Sequence, residues 1–101
     1  MVSATPSEDF ASVGVSPAED RAIRDLVKKF PLPSGVRSFE IKYGKDSTGI
    51  PALWVRFIID EGLAERVHSI PEWNSLRRNV QGELLRSNLK FWPYVEFRAS
   101  A

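Results

Sequence analysis

Apolar positions recur along this chain with two periods, and the changes of period mark its elements. Ile23, Leu26, Val27 and Phe30 recur at three- and four-residue spacing, which places them on one stripe of a helix. Ser16-Pro17-Ala18-Glu19 precedes them in the form of a capping box with proline at the first helical position. Asp20 adds negative charge where the helix dipole is positive. Pro31 and Pro33 end the helix, because proline disfavours helical backbone at the residue before it. The period then falls to two. Across Val36–Tyr43, Arg37, Phe39, Ile41 and Tyr43 form one set and Val36, Ser38, Glu40 and Lys42 the other, which predicts a half-buried strand. Gly44–Gly49 reads as a hairpin loop, with two glycines available for positive φ.

Pro51–Asp60 is the most apolar window. Leu53, Val55, Phe57 and Ile59 form one alternating set, and Ala52, Trp54 and Ile58 the other, with Arg56 among them. A strand apolar on both sets belongs in the middle of a sheet. Asp60-Glu61-Gly62 leaves the sheet, and Leu63, Val67 and Ile70 predict a short second helix. Ser69-Ile70-Pro71-Glu72 repeats the Ser-x-x-Glu pattern and predicts a third helix start. Trp73, Leu76, Val80 and Leu84 form the inward stripe of that helix, with Arg78, Asn79, Gly82 and Arg86 pointing away. Asn88 is a suitable helix-ending residue. In the last strand Phe91, Val95 and Phe97 face one side and Trp92, Tyr94, Glu96 and Arg98 the other, and Pro93 indicates a sheet edge.

The hairpin is antiparallel, and a right-handed crossover through two helices brings the last strand parallel to the central one. The expected fold class is therefore α+β: a two-layer αββααβ sandwich with a three-stranded mixed sheet and helices on one face. Residues 1–15 read as a disordered acidic leader, 16–98 as the single domain and 99–101 as a tail. Phe10, Val13 and Val15 are the leader residues able to dock on the domain.

Composition narrows the function classes. At 101 residues the chain can bury one modest core. It contains no Cys, which removes disulfide frameworks, thiolate zinc sites and cysteine nucleophiles. No window approaches the roughly 20 apolar residues of a membrane-spanning helix, and the first residues lack the pattern of a secretory signal, so a cytoplasmic location is expected. Residues 1–20 hold Glu8, Asp9, Glu19 and Asp20 and no basic residue, whereas all 14 Lys and Arg lie in 21–101. A mildly basic domain behind an acidic leader suits either a solvated surface or an anionic partner.

The αββααβ order resembles the type II KH-like fold and, among small bacterial proteins, the ribosome-binding factor A family. The resemblance covers residues 16–98 and is one of topology. It implies an RNA- or ribosome-binding surface. KH domains that bind RNA carry Gly-x-x-Gly at the helix–helix junction, where backbone N–H groups meet the nucleic-acid backbone. Here that junction is Val67-His68-Ser69-Ile70-Pro71-Glu72. It holds neither Gly-x-x-Gly nor the Ala-x-Gly kink of the ribosome-binding factor, so no site residue transfers from the family.

Three stretches invite a chemical reading, and each has a plainer one. His68 is the single histidine. A dyad with Ser69 fails because neighbouring helical residues do not face each other. Asp60-Glu61, with Asp46 or Glu65, lacks the alternating oxygen ligands around a glycine of a calcium loop, and reads instead as helix capping. Gly44-Lys45-Asp46-Ser47-Thr48-Gly49 has the glycine spacing of a phosphate loop, but no Lys-Ser/Thr follows and a strand begins there. No cofactor, metal or small-molecule substrate is implied, and no enzyme is expected.

Two surfaces remain. The second sheet face gathers Trp54, Arg56, Ile58, Trp92, Tyr94 and Arg98. Exposed Trp and Tyr beside Arg is the composition of interface hot spots and also of base-stacking platforms. The leader or a loop folding back over this face is the intramolecular alternative. Arg77, Arg78, Arg86 and Lys90, on or after the third helix, form the second candidate surface, for RNA phosphates. The expected function is a small bacterial interaction module that binds a protein partner or itself, as a homodimer, through the aromatic sheet face. RNA or ribosome binding through the basic third helix is the alternative.

Overall fold

The computed structural model describes residues 14–100, the side chain of His68 excepted. The expectations for the leader up to residue 13, Phe10 and Val13 included, lie outside the described residues. The chain forms helix α1 (Pro17–Lys28), strand β1 (Val36–Lys45), strand β2 (Pro51–Ile59), a 3-10 helix (Glu61–Ser69), helix α2 (Pro71–Arg86) and strand β3 (Trp92–Ala99). The three strands make one sheet in the order β1-β2-β3. β2 is central, antiparallel to β1 and parallel to β3. The fold is thus α+β with a three-stranded mixed sheet.

The capping box at the start of α1 forms as its sequence indicates. Ser16 Oγ accepts from the Glu19 backbone N–H at 3.1 Å, and the Glu19 carboxylate accepts from the Ser16 N–H at 2.9 Å. The second Ser-x-x-Glu pattern behaves differently. Ile70, not Ser69, is the cap of α2, without a side-chain hydrogen bond, and the Ser69 hydroxyl donates to the Arg66 carbonyl. The proline sits one place later in this copy. It holds Ile70 extended, at φ −101 and ψ 107, so Ile70 cannot be a first helical residue and the start moves past the serine. Asp60 likewise makes no cap; its carboxylate accepts from Arg37 Nε at 2.6 Å.

Register in β1 also departs from simple alternation. Val36 pairs with Ile59 and Phe39 with Phe57, with an irregularity between Val36 and Ser38. One extra residue there turns Val36 inward and Arg37 outward. Two consecutive polar residues, Arg37 and Ser38, between apolar neighbours are its signal in the sequence.

The core fills the inner face of the sheet. Leu53, Val55, Phe57 and Ile59 of β2 are buried against Ile23 and Val27 of α1 and Trp73, Leu76, Val80 and Leu84 of α2. Phe39, Phe57 and Phe97 run as one row across the three strands, and the Trp73 ring stacks on Phe97 at 5.4 Å. Trp73 satisfies its indole N–H on the Ser34 carbonyl at 3.0 Å. Val15 is 5% exposed and joins the core. Lys90 fixes that end of the chain, donating to the Gly14 carbonyl at 2.7 Å. α2 ends at Ser87, and Asn88 takes a φ of 60, the left-handed conformation that closes a helix.

Candidate functional site

The outer face of the sheet is a grid fixed by strand register. From the hairpin end, its rows read Gly44, Ala52, Trp92; then Lys42, Trp54, Tyr94; then Glu40, Arg56, Glu96; then Ser38, Ile58, Arg98. The structure therefore brings all six predicted face residues onto β2 and β3, side by side. None of them belongs to the core cluster. Trp92 is 49% exposed.

The aromatic end is built in layers. Trp54 and Tyr94 are paired across β2 and β3, and their rings stack at 5.6 Å with 15° between planes. The indole extends over Gly44, where a Cβ would stand 3.4 Å from the ring. Tyr94 Oη donates to Asp46 Oδ2 at 3.0 Å. The other oxygen of Asp46 accepts from the Thr48 hydroxyl and from the N–H groups of Thr48 and Ile50. These bonds, the Thr48 hydroxyl first, hold the Asp46 carboxyl below its usual range. The same carboxylate pushes the Tyr94 phenol upward. One acidic residue thus shapes the hairpin and pins the Tyr94 ring against Trp54. Sequence reading missed this role; an Asp two residues before Thr at a hairpin tip is the signal that carries it.

The next row is ionic. Arg56 Nε donates to the Glu96 carboxylate, and Arg56 Nη1 lies 3.8 Å from Glu40. The guanidinium is therefore held between two carboxylates within the row. Alternation alone makes Glu40 and Lys42 part of the polar set of a half-buried strand, and pairing with β2 makes them part of this surface. Lys42 and Arg98 are exposed, and the described ion pairs include neither.

The basic residues of the other candidate surface are spread apart. Arg77 lies beside Val95, Glu96 and Phe97 at the edge of β3. Arg86 pairs with Glu83 at 2.7 Å. At about 3.6 residues per turn, Arg77 and Arg86 occupy opposite sides of α2. Arg78 is exposed, and Lys90 is engaged by the Gly14 carbonyl, by Glu19 at 3.8 Å and by the Phe91 ring. Among the described residues no group of three His, Asp or Glu is placed to hold a metal ion, and no helix is long and apolar enough to cross a membrane. No protein-family profile, curated protein or solved structure matches this chain.

Proposed function

We propose that this chain is a non-enzymatic, cytoplasmic interaction module that binds a protein partner or a second copy of itself through the outer sheet face. The observation that carries this reading is the pre-stacked Trp54–Tyr94 pair, with Trp92 half exposed beside it. A small fold gains little by placing two tryptophans and a tyrosine on the face its helices leave alone. A binding surface gains much, because rigid aromatic side chains lose little conformational entropy on contact. Arg56, Ile58 and Arg98 supply the polar and aliphatic remainder of a hot-spot patch.

The element order and the parallel β2–β3 pairing are compatible with a type II KH-like relationship. The cations proposed for RNA, Arg77, Arg78, Arg86 and Lys90, lie on several sides of the molecule, and two of them are engaged by acidic neighbours. That dispersal favours the protein-binding reading. The test compares the wild type with Trp54→Ala for mass in solution and for co-purifying polypeptides. A loss of self-association or of a specific partner in the variant supports the reading. Identical mass and identical partners in both proteins would remove it.

A further inference from the structure

The outer face is self-complementary in one orientation, and we infer that its occupant is a second copy of this chain, packed sheet against sheet about a two-fold axis perpendicular to the strands. The inference rests on the reading of the outer face as a protein-binding surface and names its partner. Two copies placed face to face are related by an axis lying between them. An axis parallel to the strands would set β1 of one copy over β3 of the other. Glu40 would then face Glu96, and Arg56 would face its own counterpart, so the central row would meet like with like. Like charges opposed across an interface are costly.

An axis perpendicular to the strands, passing between the Trp54 row and the Arg56 row, exchanges those two rows and the two outer rows. Lys42 then faces Glu40 of the second copy, and Arg56 faces Trp54. Arg98 faces Trp92. Every cation of the grid meets a carboxylate or an aromatic ring. The two grid cations outside the described ion pairs, Lys42 and Arg98, receive partners there. Arg56 is held in its row by Glu40 and Glu96, and a guanidinium so placed suits stacking on the indole of the second copy. Sheets packed in this way keep their strands within about 30° of each other.

Four outward rows about 6.8 Å apart, on three strands about 4.8 Å apart, make a face of roughly 20 Å by 10 Å before side-chain width is added. That is small beside the roughly 800 Å² per partner of a standard interface. The dimer is therefore a reversible one, expected to form in the micromolar range.

The test is sedimentation equilibrium of the full chain from about 1 to about 300 µM, on wild type, Glu40→Lys, Lys42→Glu and the double variant. Circular dichroism of each variant reports its folding. Wild type should pass toward twice the 11.4 kDa chain mass. Each single reversal sets like charges opposite and should raise the dissociation constant at least about tenfold. The double variant restores opposite charges across the interface and should bind tighter than either single variant, short of wild type because Glu40→Lys also removes one of the carboxylates beside Arg56. A wild type that stays monomeric throughout overturns the proposal. If Trp54→Ala then still loses a partner that the wild type keeps, the sheet-face reading survives without the second copy. A dimer indifferent to the single reversals, or a double variant no tighter than the singles, overturns it as well.

Discussion

Two glycines illustrate how much a single position depends on its surroundings. Gly35 sits at φ 89, and a Cβ there would stand 2.7 Å from Leu63 Cδ1 and 2.8 Å from Trp73 Cζ2. Both the backbone conformation and the buried Trp73 ring require its lack of a side chain. Gly35→Ala should therefore destabilise the fold by about 2–4 kcal/mol, measured by urea unfolding. Gly82 lies inside α2, and a Cβ there would meet only the Arg86 guanidinium, at 3.5 Å. The fold does not need this glycine, and Gly82→Ala should raise stability by about 0.5–1 kcal/mol in the same assay. From the sequence, one glycine reads as a turn and the other as a helix defect. The positive φ together with the positions of Leu63 and Trp73 makes the first irreplaceable.

At the scale of elements, the two Ser-x-x-Glu patterns differ by the place of one proline, and their consequences should differ accordingly. Ser16→Ala removes a working capping box and should lower the thermal midpoint by an amount corresponding to about 1 kcal/mol. Ser69→Ala removes a hydroxyl that bonds only the exposed Arg66 carbonyl, and should change stability by less than about 0.5 kcal/mol. Equal losses from the two substitutions would contradict the cap positions. The 3-10 geometry of Glu61–Ser69 shows the same dependence on context. Leu63 and Val67 pack against the core from it, and Ile70 does so just beyond its end, so the apolar spacing identified a helical segment. The tighter winding was not legible, because the spacings of a short apolar run suit either helix.

Across the whole molecule, distant groups set the pH limits of stability. Tyr43 is buried beneath α1, and its hydroxyl donates to Asp20 Oδ1 at 2.6 Å. Burial first, and then Asp20, push its phenol far above the ordinary range near 10. The folded state therefore holds this proton more tightly than the unfolded chain. The stability it contributes is complete below pH 10 and is lost as pH rises beyond it. Tyr43→Phe should cost about 1–2 kcal/mol at neutral pH and flatten the decline of stability above pH 10, followed by denaturant midpoints across pH. At the acid limit the sign reverses. Glu19 is lowered chiefly by the Ser16 backbone N–H and Asp46 chiefly by the Thr48 hydroxyl. Their stabilisation is present above the ordinary carboxylate range near 4 and fades as pH falls below it. Asp46→Asn should weaken that acid dependence, and the same pH series measures it.

The sequence by itself determined the elements, their order and the inner face of the sheet. Helical and strand periodicity are local consequences of which residues bury best, and β2, apolar on both sets, had one suitable place in a three-stranded sheet. Tertiary structure alone decided what depends on pairs far apart in the chain. The extra residue between Val36 and Ser38 set which sides of β1 Val36 and Arg37 take. The bond from Asp20 to Tyr43 joined helix to strand, and the bond from Asp46 to Tyr94 joined hairpin to β3. The candidate site divides in the same way. Its six residues on β2 and β3 were legible because alternation assigns a side to each. Glu40 and Lys42 acquired their meaning only from register, since a charge on a surface strand has no partner until the neighbouring strand supplies one.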